Sequence, residues 1–187
     1  MHSRFLLGVV VAAATMLLSN QAIRAQDSAP KIEVGLQFTA LHLTDFQEGP
    51  VGIGGRIIYN FTNNFALDAE ASHFPENPSG NFGETQGLFG MRAGKRMDTI
   101  GTFVKARPGF IQFDGGYFDK RLDKKRFFAL DIGGVIEYYP SSRIVLRFDI
   151  GDTIIAYQGA TYIGSPTPAP LGTSHNLQAG FGFGIRF

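Results

Sequence analysis

The sequence predicts an all-β fold: a closed antiparallel eight-stranded transmembrane β-barrel, wound as an up-and-down meander behind a cleaved signal peptide. Three observations predict it. From Lys31 to Phe187 the side chains alternate between apolar and polar or small with a period of two, which is the repeat of a strand and not of a helix. Eight segments carry that alternation, roughly 32–43, 50–61, 65–74, 83–95, 102–113, 126–139, 143–156 and 175–187. They are longer than the ~5–6 residues common in soluble sheets and near the ~9–11 that a tilted membrane strand needs. The connections alternate in length, with short ones at 61–65, 95–101 and 140–142 and longer ones at 44–49, 75–82, 114–125 and 157–174. Short turns at one end and long loops at the other are the habit of membrane barrels, whose termini share the short-turn side when the strand number is even.

The N-terminus comes first. Arg4 is basic, Phe5–Leu18 is an apolar run of about 14 residues, and Ser19–Ala25 is a small, polar stretch. That order is a secretory signal, with cleavage expected after Ala25, and the apolar run is short of the ~20 residues of a spanning helix. Residues 1–25 are therefore read as signal peptide and 26–187 as one barrel domain. Removing Arg4 and Arg24 from the 17 bases leaves 15 against 16 acids, a net charge of −1. No basic excess exists to neutralise nucleic-acid phosphates, and the absence of cysteine excludes disulfides, thiol chemistry and zinc-thiolate sites.

Strand 126–139 shows the alternation best. Phe128, Leu130, Ile132, Gly134, Ile136 and Tyr138 share one face, and Phe127, Ala129, Asp131, Gly133, Val135, Glu137 and Tyr139 the other. Pro140-Ser141-Ser142 reads as a tight turn, after which Ile144, Leu146, Phe148, Ile150 and Ile154 oppose Arg143, Val145, Arg147, Asp149, Gly151 and Thr153. Asp152 breaks the apolar face near the outer end. Pro108 falls inside the fifth segment, where its missing N–H predicts a bulge.

In the last segment Ala179, Phe181, Phe183, Ile185 and Phe187 alternate with Gly180, Gly182, Gly184 and Arg186. As a soluble edge strand this would expose its phenylalanines and invite aggregation. The pattern of Phe181, Phe183, Ile185 and Phe187 resembles the signal by which outer-membrane proteins address the barrel-assembly machinery. Together with stretches such as Gly133-Gly134-Val135-Ile136-Glu137-Tyr138-Tyr139-Pro140, residues 31–187 resemble the small outer-membrane β-barrel domain family that includes OmpX, the transmembrane part of OmpA and the opacity proteins. The resemblance implies a Gram-negative outer-membrane location, with outer-membrane lipid and the assembly machinery as partners.

Parity places Glu33, Arg56, Asp68, Glu70, Arg92, Lys105, Arg107, Asp131, Glu137, Arg147, Asp149 and Arg186 on the inner face, six bases and six acids. Eight strands leave a lumen just wide enough for side chains, and buried charges there must be paired. Counting from the Asn63 turn sets Arg56 opposite Glu70, while Glu33 and Arg186 meet at the seam between first and last strand. The expectation is a charge-paired plug in a structural or surface-interaction protein, with contacts carried by the loops. A narrow ion or solute channel is one alternative.

A lipid A-modifying enzyme is the other, since His42, His73 and His175 fall near the outer rim with Ser72, Ser174 and Asp45 close in sequence. Consecutive strand residues face opposite ways, so Ser72 and His73 cannot meet, and no catalytic, metal or cofactor site is expected. The stretch Asp114–Arg126 carries five bases against three acids. It is read as a solvated loop with the charge to touch lipopolysaccharide phosphates. The fourth loop, with Pro166, Pro168 and Pro170, reads as flexible, and the protein as a monomer.

Overall fold

The computed structural model describes residues 30–46, 49–76, 83–115, 122–123, 125–164 and 172–187. The expected signal segment 1–25, most of the basic loop and the three prolines of the fourth loop lie outside the described residues. Within them the chain forms eight strands: β1 (Ile32–His42), β2 (Val51–Asn60), β3 (Phe65–Phe74), β4 (Gly83–Arg96), β5 (Ile100–Asp114), β6 (Arg126–Ser141), β7 (Ile144–Ala156) and β8 (Thr173–Arg186). Each pairs antiparallel with its neighbours, and the order β1 to β8 closes into a barrel.

Closure is made by β1 and β8, in register from Glu33↔Arg186 to His42↔Leu177. Ile32 N donates to Phe187 O at 3.2 Å and Phe187 N to Ile32 O at 2.8 Å. No open edge is left at the seam, as a strand surrounded by lipid requires. The turns at the short-turn end are tight. Thr62 Oγ1 accepts from the N–H groups of Asn64 (3.1 Å) and Phe65 (3.0 Å), and Asn64 Nδ2 reaches across to Gly94 O at 2.7 Å.

Two local expectations change. Pro108 makes no bulge: β4 and β5 hold the same register on both sides, Leu88↔Gly109 and Met91↔Ala106. Opposite β6 the ladder runs unbroken through Pro108↔Leu130. The missing donor interrupts pairing locally on the β4 side and inserts no extra residue. The irregularity falls instead between Tyr138 and Ser141 against β7, around Pro140, where a missing N–H near a strand end is tolerated. The β6–β7 turn is consequently Ser142-Arg143, starting two residues and ending one residue later than the sequence suggested, and Arg143 leaves the strand.

The outer surface of the wall is apolar, with Leu36, Phe38, Ile57, Phe89, Val104, Ile132, Ile136, Phe148, Phe181 and Phe183 all exposed. The interior holds buried polar and charged side chains instead. No helix among the described residues is long and apolar enough to cross a membrane, and the strands supply the crossing.

The long-loop end is more ordered than a solvated fringe. Leu122 and Tyr162 form an antiparallel bridge between the third and fourth loops. Asp123 N donates to Thr161 O at 3.1 Å, and Thr161 N donates to Asp123 Oδ1 at 2.7 Å. Leu122 is fully buried, which departs from the solvated loop expected of the stretch 114–126.

Candidate functional site

The lumen is built by the inward parity of eight strands and has two tiers. Toward the short-turn end and at mid-height lie charges. Among the described residues seven bases and seven acids are buried: the twelve named from parity, together with Glu84 and Arg96. Arg96 is the last residue of β4 and Glu84 its second. Glu84 already lay at the inward parity inside the expected segment 83–95, and extending that segment by one residue would have found Arg96.

Arg107 is the hub of the middle. Its Nη1 donates to Glu70 Oε2 at 2.7 Å and Asp68 Oδ1 at 3.2 Å, and its Nη2 to Asp131 Oδ2 at 2.7 Å. Lys105 bridges Asp131 (2.8 Å) and Asp149 (2.5 Å). Arg147 holds Asp68 at 2.7 Å and Asp149 at 3.3 Å. These groups come from β3, β5, β6 and β7, so the ion pairs brace opposite walls.

Arg56 does face Glu70 in register, yet the two form no ion pair, because Glu70 is taken by Arg107 from across the barrel. Arg56 Nη1 donates instead to Gln37 Oε1 at 2.6 Å, and Gln37 Nε2 passes on to Asp149 Oδ2 at 2.9 Å. Space for this pair comes from β8: a Cβ at Gly182 would overlap both the Arg56 guanidinium and the Gln37 amide.

A second charged cluster sits at the short-turn mouth. Glu33 accepts from Arg96 Nη2 (2.9 Å), Asn60 Nδ2 (2.8 Å) and Arg92 Nη2 (3.5 Å), with Arg186 Nε 3.7 Å away at the seam. Glu137 is bound by Arg92 Nη1 and accepts from the Tyr139 hydroxyl at 2.7 Å. The Arg92 guanidinium stacks on the Phe103 ring, 4.5 Å from its centre.

The long-loop half of the lumen holds an apolar cluster beside buried Glu84, Gln86, Thr153, Ser174, Asn176 and Gln178, a tier that parity alone did not separate from the charged one. Leu41, Leu43, Phe74, Leu88, Ile111, Phe113, Phe127, Ala129, Ile155 and Tyr157 pack together with Leu122 and Ala160 from the loops. The rings meet at tilted and edge-on angles, Phe127–Tyr157 at 5.0 Å and Phe113–Tyr157 at 6.0 Å between centroids, and Phe46 closes over Tyr157 at 5.8 Å. Such pairs favour offset and edge contacts. Burial pushes the Tyr157 phenol well above the ordinary tyrosine range.

The rim histidines point outward. His73 Nδ1 lies 3.1 Å from Thr85 Oγ1, and His175 Nδ1 lies 2.5 Å from Asp152 Oδ2. Ser72 and Ser174 are buried inside, Ser72 donating to Glu70 Oε1 at 3.2 Å. The serines and histidines are thus on opposite sides of the wall. No group of three or more metal-ligating side chains occurs among the described residues.

A closed meander with a lipid-compatible exterior and a charge-braced interior defines an integral membrane barrel. The chain belongs to the Outer membrane protein beta-barrel domain family, which it matches over residues 10–187, and the family places it in the outer membrane. Similar solved structures include Neisserial surface protein A (TM-score 0.56, 11% identity, 83% of this chain and 96% of that one). The N-terminal barrel domain of Pseudomonas aeruginosa OprF gives 0.54, 13%, 86% and 100%, and P. aeruginosa OprG 0.54, 8%, 86% and 97%. At such identities the likeness is one of fold. Among curated proteins no relative matches the chain.

Proposed function

We propose that this barrel is a structural or surface-interaction protein of the outer membrane, with a plugged lumen and contacts made by its outer loops. The observation that carries the reading is the second tier: the charged lumen is closed at the outer end by packed rings and aliphatic side chains, with Phe74, Phe113 and Phe127 at most 1% exposed. An eight-stranded barrel has room for such a core and little else. The test is conductance in planar bilayers. Silence across salts is expected, and steady single-channel steps would establish the narrow-channel alternative instead.

The protein carries out no chemistry on lipid A in this reading. Support comes from the separation of Ser72 and Ser174, inside, from His73 and His175, outside, since a nucleophile and its base must lie within hydrogen-bond reach. Mass spectrometry of lipid A from expressing cells is expected to show an unchanged profile. The partners are outer-membrane lipid, with lipopolysaccharide phosphates meeting the basic third loop, and the assembly machinery reading Phe181, Phe183, Ile185 and Phe187 on β8. The protein acts as a monomer without cofactor.

A further inference from the structure

The short-turn mouth of the lumen, the end that membrane barrels turn to the periplasm, holds one more cation than carboxylates. Three guanidiniums, Arg92, Arg96 and Arg186, surround two acids, Glu33 and Glu137. Arg92 lies deepest, and Arg92 and Arg96 each pair with both acids, while Arg186 reaches only Glu33. Arg96 and Arg186 are the terminal residues of β4 and β8 and flank one phenol ring, their guanidinium carbons 5.4 and 4.1 Å from the centre of Tyr139. Both side chains are more than nine-tenths buried. Arg96 Nη1 and Arg186 Nε nevertheless find no hydrogen-bond acceptor, although Glu33 Oε2 in the same cluster lacks a donor. A buried charged donor without an acceptor is costly, and a guanidinium fork is shaped to take two oxygens of one oxyanion. Around the mouth, Lys31 and Arg143 are exposed. Arg143 is tied to the seam, its carbonyl accepting from Arg186 N at 2.9 Å.

We infer that Arg96 and Arg186, stacked on Tyr139, form an anion subsite at the periplasmic mouth that takes a phosphate-type oxyanion, with Lys31 and Arg143 drawing the anion in. That chemistry has two sources: the headgroup of an anionic phospholipid in the periplasmic leaflet, or a free phosphate. The subsite does not depend on whether the lumen conducts or which surface partner the outer loops meet.

The test uses the full folded chain in phosphate-free zwitterionic detergent, reading the unfolding midpoint from the heat-modifiable gel shift. Inorganic phosphate is titrated in one arm. In the other, the chain is placed in phosphatidylcholine vesicles with or without phosphatidylglycerol. A rise with phosphate supports the subsite with a free anion as ligand, and a rise only with phosphatidylglycerol supports it with a headgroup. Arg186→Gln is expected to weaken the response about tenfold, read as the shift from that variant's own ligand-free midpoint. Arg96→Gln is the second variant, with the same expected loss. Lys95→Gln, exposed near the same end, should respond as wild type. No rise in either arm, an unaltered response in whichever arginine variant folds, or an equal loss in Lys95→Gln overturns the subsite.

Discussion

At the scale of single residues, the ion pairs differ in what their loss leaves behind. Removing Arg107 strands Glu70, whose other contacts are the Ser72 and Thr39 hydroxyls at 3.2 and 3.5 Å. Asp68 and Asp131 still keep Arg147 and Lys105. An uncompensated buried charge costs about 3 kcal/mol or more, so Arg107→Gln is expected to lower the unfolding midpoint in detergent markedly. Arg56→Gln loses one bond to Gln37 and should cost about 1 kcal/mol. If the two variants melted alike, the hub role of Arg107 would be wrong. Register was legible here and partnership was not: counting strand residues sets Arg56 opposite Glu70, but only the closed barrel shows that Arg107, from two strands further on, reaches Glu70 across the lumen. Arg96 escaped notice because element ends are blurred in a periodic signal; Glu84 lay inside segment 83–95 at the inward parity and was passed over.

At the scale of elements, β8 displays the division most simply, with Phe181 and Phe183 outward and Gly180, Gly182 and Arg186 inward. Phe181 lies between Phe38 and Phe148 in register, well inside the apolar wall. Phe181→Lys is expected to destabilise the barrel in vesicles by about 2–4 kcal/mol, measured by urea unfolding; a loss no larger than that of a rim substitution would count against the lipid-facing assignment. The cap has its own signature. Tyr157 is held neutral because burial disfavours the phenolate, and the Asp45 and Glu84 carboxylates add to this against the smaller opposing influence of Ser174. With its folded pKa raised above the unfolded value near 10, its stabilising contribution is whole below about pH 10 and fades as pH rises beyond. Wild type should lose midpoint above that pH more steeply than Tyr157→Phe. The strands were readable from alternation because parity is a local property. The apolar cluster was not: Phe127 and Ala129 were correctly placed inward, but that they join Phe113, Tyr157 and Leu122 in one cluster depends on strand heights and on the pairing of two loops far apart in sequence. Pro108 failed as a bulge marker because a missing donor can be absorbed by one lost ladder bond.

At the scale of the whole molecule, the two tiers make distinct demands on passage through the lumen. Substitutions in the charged tier, Arg107→Gln or Arg147→Gln, are expected to leave planar bilayers silent, because the apolar tier still closes the outer end. The double variant Phe113→Ala and Tyr157→Ala opens that tier and is the one expected to pass current. Conductance from a charged-tier variant alone would show that the cap is not the barrier. Closure and strand number were evident from eight segments with alternating connections, since lipid tolerates no unpaired edge. The vertical sorting of the inner side chains has a further consequence for how the chain reaches its place. A barrel inserted from the periplasm sends its long-loop ends across first, so inner side chains near those ends travel the full depth of the bilayer and those near the turns travel little. Here the deep travellers on the strands are Leu41, Phe74, Phe113, Phe127 and Ile155 together with the uncharged Ser174 and Asn176. Most charged groups, Glu84 apart, lie near mid-depth or closer to the turns, which spares the chain much of the hydrocarbon crossing that charge makes most expensive.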